Sequence, residues 1–82
     1  MKTHYLKTWP EYFKAIKSGE KKAELRLNDR DFKVGDTLCL QEYDPDYGGY
    51  TNDRLTVAIT HALHGPGFGL AAGFVMMSIE PE

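Results

Sequence analysis

At 82 residues, 41% apolar and 27% charged, the chain is long enough for one hydrophobic core and too short for two, and it has neither the apolar-poor composition of a disordered protein nor a membrane-spanning run. Its net charge of −2 conceals two unlike parts: residues 1–33 carry nine Lys/Arg against five Asp/Glu, a balance of +4, and residues 34–82 carry one against seven, a balance of −6. Cys39 is the single cysteine, which excludes an internal disulfide framework, and the polar start Met1-Lys2-Thr3-His4 lacks the apolar stretch of a secretory signal, so a cytoplasmic location is expected.

In chain order, residues 3–7 alternate loosely as a first strand. Thr8 and Glu11 then form the Thr-x-x-Glu pattern of a capping box, with Pro10 in the first turn, and the spacing of Trp9, Tyr12, Phe13 and Ile16 predicts a helix over Pro10 to Ser18 that ends at Gly19. Trp9, Phe13 and Ile16 are assigned to the core. After Gly19 the period becomes two: Ala23, Leu25 and Leu27 make an apolar strand face, and Lys22, Glu24 and Arg26 a charged one. Asn28 to Asp31 is a polar connection and Val34-Gly35-Asp36 a turn, followed by a strand from Leu38 to about Tyr43. Residues 44–53 read as an exposed loop or long hairpin connection, Leu55 to about Leu63 as a strand, and Gly65 to Gly69 as irregular, with a short helical turn at Leu70 to Ala72. Phe74 to Ile79 closes the series as a continuous apolar strand buried on both faces. Five short strands and one capping helix in so few residues make an α+β fold, a small, partly closed mixed β-barrel forming a single domain over residues 1–82.

The segment with most chemistry is Ser18-Gly19-Glu20-Lys21-Lys22-Ala23-Glu24-Leu25-Arg26. Pleating puts Glu24 and Arg26 on one face about 7 Å apart, within reach of each other or of one shared polar ligand. Lys21 or Lys22 joins them, depending on where the strand begins. The same alternation also describes the wet side of an ordinary antiparallel strand.

The run Gly19-x-Lys21-x-x-Glu24-x-Arg26 resembles the signature of the ASCH superfamily, whose PUA-like barrels are associated with RNA binding and nucleoside chemistry. His4-x-Leu6-Lys7-Thr8, Tyr12-Phe13, Asn28-Asp29-Arg30-x-Phe32, Val34-Gly35-Asp36 and Gln41-Glu42-Tyr43 further resemble, in order, the small bacterial and phage DUF3850 subfamily, from about His4 to Ile79. The resemblance implies that Lys21, Glu24 and Arg26 line a cleft beside the barrel. Some ASCH relatives are metal-independent amidohydrolases acting on N4-acetylcytidine, with a Thr at the position of Glu24, a Lys at that of Lys21 and a separate Glu before the last strand. This chain departs twice, since Glu24 replaces the hydroxyl and Gly65 to Gly73 holds no acid.

Further along, Arg30 is a candidate phosphate contact and Asn28 a candidate reader of a base edge, although Asn-Asp is also ordinary turn chemistry. Tyr43, Tyr47 and Tyr50 are candidate stacking platforms that could equally pack the 44–53 segment onto the barrel. Lys7 belongs with the basic half. His61-x-x-His64 with Cys39 has poor spacing for zinc on a strand, and neither a metal nor a cofactor is expected. His4 is read as a satisfied structural histidine, and Gly65-x-Gly67-x-Gly69 lacks the Lys-Ser/Thr of a phosphate loop.

Three functions follow as expectations. The first is an RNA- or modified-nucleoside-binding module using Lys7, Lys21, Glu24, Arg26, Asn28, Arg30 and Tyr43. The second is an amidohydrolase on N4-acetylcytidine-like nucleosides with Lys21 and Glu24 as its catalytic pair. The third is a phage or mobile-element module whose ligand is another protein. No membrane partner is expected.

Overall fold

The computed structural model describes all residues from Met1 to Glu82. Five strands and one helix follow in the order β1 (Thr3–Thr8), α1 (Pro10–Ser18), β2 (Ala23–Leu27), β3 (Thr37–Asp44), β4 (Gly49–His64) and β5 (Phe74–Pro81). They form one curled mixed sheet of order β1-β3-β4-β5-β2, in which β1 runs parallel to β3 and every other pair is antiparallel. β4 is long enough to serve two neighbours: its first part pairs with β3 and its second with β5, with a register irregularity between Ile59 and His61. Such a bulge bends a strand and raises its twist, which is how a flat ribbon becomes a half-barrel.

Inward-facing Leu38, Leu40, Val57, Ile59, Val75 and Met77 are almost wholly buried, and α1 caps them with Phe13 and Ile16. Each such side chain removed from water contributes about 1.5–3 kcal/mol. Where the core gives way to polar groups, they are paired. His4 Nε2 lies 2.8 Å from Asp36 Oδ2, and the Asp36 carboxylate also accepts from the backbone N–H groups of Lys2 and Lys33, so β1 is tied to the turn that precedes β3. Those hydrogen bonds, that of His4 foremost, hold the Asp36 carboxyl down at about 2, against the opposing effect of burial. His4 thus occupies the structural role expected of it, with its ring edge against Phe32 at 4.7 Å.

Several local expectations are corrected. Thr8 does not cap α1: it is the last residue of β1, opposite Glu42, and its hydroxyl donates to the Leu6 carbonyl, while Trp9 takes the cap position with no side-chain cap bond. Being at the cap rather than on the helix face, Trp9 is 47% exposed and outside the core. The segment after Tyr43 is a tight hairpin rather than a ten-residue loop, because the Asp44 carbonyl accepts from Tyr47 and Gly48 and its side chain from Asp46, so β4 starts at Gly49. β5 is buried on one face only, Val75, Met77 and Ile79 lying inside and Phe74 and Met76 outside. Residues 70–72 form no helical turn; Gly67 and Leu70 pair as an isolated bridge instead.

β2 turns the opposite way from an ordinary amphipathic strand. Its apolar residues face out, with Leu25 and Leu27 each 52% exposed, and Glu24 faces in at 6%. A carboxylate can occupy that position because two cations accompany it.

Candidate functional site

β1 and β2 are the two edges of the sheet, and they approach each other without pairing. Arginines bridge the gap. Arg26 Nη2 donates to the Lys7 carbonyl at 2.9 Å and Arg30 Nη1 to the Tyr5 carbonyl at 2.8 Å, so two alternate carbonyls of the free β1 edge are satisfied by side chains arriving from β2 and the segment after it. The two edges of the half-barrel are joined there by guanidinium groups rather than by a ladder.

Beside this seam is an open cleft of about 500 Å³, lined by Lys7, Thr8, Trp9, Tyr12, Lys21, Glu24, Leu25 and Arg26. They come from β1, α1 and β2 and, for Trp9 and Lys21, from the short connections between them, all within the basic part of the chain. Glu24 is the centre of its polar wall. One carboxylate oxygen accepts from Lys21 Nζ at 2.7 Å, and the other lies 2.7 Å from Arg26 Nη2 and 2.8 Å from Arg26 Nε. Lys21 also donates to the Ala23 carbonyl. The two cations are 29% and 27% exposed, so the pair is buried on the carboxylate side and open to a ligand on the cationic side. Trp9 and Tyr12, each nearly half exposed, add aromatic surface to the same lining. A flat ligand can therefore meet aromatic faces and a donor-rich polar edge at once.

Of the candidates read from the sequence, Lys7, Lys21, Glu24 and Arg26 come together in this cleft. Tyr43 lies at its rim, 5.8 Å from Trp9 between ring centroids, with the Lys7 ammonium 4.2 Å above its ring. Asn28 is elsewhere engaged: its side-chain oxygen accepts from the Phe32 N–H and stabilises the turn. Arg30 points to the seam. Lys22 lies outside the cleft, and Lys21 is the lysine that joins Glu24 and Arg26. Trp9, Tyr12 and Thr8 are cleft residues that the pattern did not single out for function. Trp9 and Tyr12 are three apart at the start of α1, and a displaced cap would have been the signal that this pair faces the gap rather than the core. Buried Cys39 and exposed His61 and His64 do not assemble, and the structure groups no three metal-ligating side chains.

Comparison with known proteins yields three similarities. A family described as a domain of unknown function, DUF3850, matches residues 3–79. An uncharacterized 12.9 kDa protein in the GpA 3′ region of Escherichia phage P2 is 37% identical over 59 residues, which cover 72% of this chain and 52% of that protein; the chain spans about half the length of this curated relative. The crystal structure of the hypothetical protein PH0355 superposes with a TM-score of 0.69 at 22% identity, covering 100% of both chains, a likeness of fold.

Proposed function

The chain belongs to the DUF3850 family, and from that premise we propose that it is a binding module for RNA or a modified nucleoside, which holds one nucleobase in the cleft between β1, α1 and β2. The observation that carries this reading is that the Lys21–Glu24–Arg26 group and the aromatic rings of Trp9 and Tyr12 line one cleft large enough for a nucleoside. A base stacked on an aromatic side chain gains ~1–3 kcal/mol, and every base offers such a face. Donors on Lys21 and Arg26, the open side of the pair, suit a ring carbonyl or a phosphate, while Glu24 holds the two cations in place. On this reading the family is a branch of the ASCH superfamily with its PUA-like barrel, a kinship supported by the convergence in one cleft of Lys21, Glu24 and Arg26 from the Gly19-x-Lys21-x-x-Glu24-x-Arg26 run. A cytoplasmic setting would fit such a ligand; no helix is long and apolar enough to cross a membrane.

The hydrolase alternative has less support. Both Glu24 oxygens are occupied by cationic donors and Lys21 is occupied by Glu24 and the Ala23 carbonyl, so neither group is free to take a proton from a nucleophile. Thr8 supplies a hydroxyl to the cleft, but it donates to the Leu6 carbonyl at 3.4 Å. The test is a chromatographic assay of N4-acetylcytidine with purified protein, run beside calorimetric titration of the four nucleosides and their acetylated forms. Binding without release of cytidine is expected. Turnover abolished by both Lys21→Ala and Glu24→Ala would replace the binding reading with a hydrolase.

A further inference from the structure

From Trp9 in the cleft an aromatic series runs outward through Tyr43 and Tyr50, two rings that the nucleoside site does not use. Trp9, Tyr43 and Tyr50 stand in succession with centroid separations of 5.8 and 5.0 Å and interplanar angles of 73° and 79°. The outer two rings are half exposed, at 47% for Trp9 and 50% for Tyr50. Tyr43, from β3, is the spine between them, and its ring is covered by the Lys7 ammonium at 4.2 Å. Cross-strand pairing of Tyr43 with Tyr50 holds the series on paired backbone rather than on a loop.

We propose that the ligand is a short single strand of nucleic acid rather than a free nucleoside, with one base in the cleft against Trp9, the next on Tyr50, and the intervening phosphate on Lys7. This rests on the nucleobase reading of the cleft and extends it. The order of side chains matches the order of parts along a strand: aromatic, cation, aromatic against base, phosphate, base. Edge-to-face contact explains why the outer rings are usable. Each Trp9 or Tyr50 ring is braced by Tyr43 while keeping surface exposed, so little side-chain freedom is lost when a base stacks. The cation–π contact likewise holds the Lys7 ammonium near the midpoint of the series before any ligand arrives.

The run ends at Tyr50. Beyond it, the hairpin carries Asp44 and Asp46, and the shallow hollow beside Tyr50 is lined by Glu42 and Asp53 along with Arg54. A phosphate placed there would meet carboxylates. The strand accommodated is therefore short, about two or three nucleotides, with any further chain leaving into solvent.

The experiment titrates the full chain with the four nucleoside 5′-monophosphates and with the corresponding homo-oligoribonucleotides of two to six residues, using wild type, Tyr50→Leu and Lys7→Gln, with thermal melting of each variant as the folding control. Affinity for the best base is expected to rise about five- to a hundredfold from monomer to dimer or trimer, as one further stacked base contributes, and then to level off. Tyr50→Leu is expected to abolish that rise while leaving monophosphate binding unchanged. Lys7→Gln is expected to lower the slope of log affinity against log salt by about 0.7 for the oligomers. If monophosphates bind and oligomers bind no tighter, or Tyr50→Leu retains the full rise while folded, the strand proposal is overturned and the nucleoside cleft stands. If no nucleotide of any length binds, both are overturned.

Discussion

Replacing Arg26 by Ala would remove the group that both neutralises the inward-facing Glu24 and ties β2 to β1. Glu24 is 6% exposed and would retain only Lys21, at 2.7 Å. Losing a hydrogen bond to a charged group costs about 1.5–3 kcal/mol, and the bond to the Lys7 carbonyl adds about 0.5–1.5 kcal/mol. Because Arg26 is itself 27% exposed, water recovers part of both, and a net cost of about 2–3 kcal/mol follows. A chain of 82 residues has roughly 4–12 kcal/mol of stability in all, so the variant should remain folded at 25 °C. Its melting temperature should fall by roughly 10–20 °C, at about 4–8 °C per kcal/mol. The assay is thermal and urea unfolding of wild type, Arg26→Ala, Glu24→Gln and the double variant. With a neutral amide at position 24 no uncompensated charge remains, so adding Arg26→Ala to Glu24→Gln should cost under about 1 kcal/mol, a coupling above about 1 kcal/mol. A melting temperature for Arg26→Ala within about 2 °C of wild type, or strictly additive effects, would mean that Arg26 does not compensate the buried Glu24 charge.

Three other outcomes are expected. The Asp36 carboxyl, held at about 2 in the folded chain against an ordinary value of 3.8, favours the folded state above that ordinary value; its contribution, on the order of 1–2 kcal/mol, should be lost as pH falls from about 4 to 2, and Asp36→Asn should flatten that part of a stability–pH profile measured by urea unfolding. Gly65→Ala would bring a Cβ within 2.1 Å of the Ala71 carbonyl oxygen, a backbone atom that cannot step aside as a flexible side chain can, and should lower stability by about 2 kcal/mol or more in urea unfolding. Trp9→Ala, at a half-exposed cap, should change the melting temperature by only a few degrees while weakening nucleotide binding at least fivefold by calorimetry.

How legible this molecule was in its sequence depended on whether the deciding interaction was local. Period-two alternation marked the first four strands and an apolar run the last, and Gly19 marked the end of α1, where its φ of 88° and its bond to the Ile16 carbonyl terminate the helix. The element order and the five-stranded curled sheet followed from those signals. Facing did not. The alternation of Ala23, Leu25 and Leu27 with Glu24 and Arg26 shows two faces, and hydrophobicity assigns the wrong one inward, because the pairing that lets Glu24 be buried draws on Lys21 and on the Lys7 carbonyl from another strand. The Thr8 capping box failed for a related reason: the parallel pairing of Thr8 with Glu42 kept it in β1 and moved the cap to Trp9. That single shift carried Trp9 from core to cleft. Arg30 was singled out for charge, yet its role at the seam with Tyr5 depends on the two sheet edges meeting, which no local pattern encodes. Lys7, Lys21, Glu24 and Arg26 were among the candidates, and the Trp9 and Tyr12 rings that share their cleft were not.

The most direct test of the nucleobase cleft is a two-dimensional NMR titration of isotope-labelled protein with the four nucleoside 5′-monophosphates. Shifts are expected for the backbone amides of Lys7, Thr8, Trp9, Tyr12, Lys21, Glu24 and Arg26 and for the Trp9 indole N–H, saturating with the strongest base and absent in the folded Arg26→Ala variant. Saturating shifts confined to the exposed outer face around Leu27, Phe74 and Met76, or none at millimolar nucleotide, would contradict it.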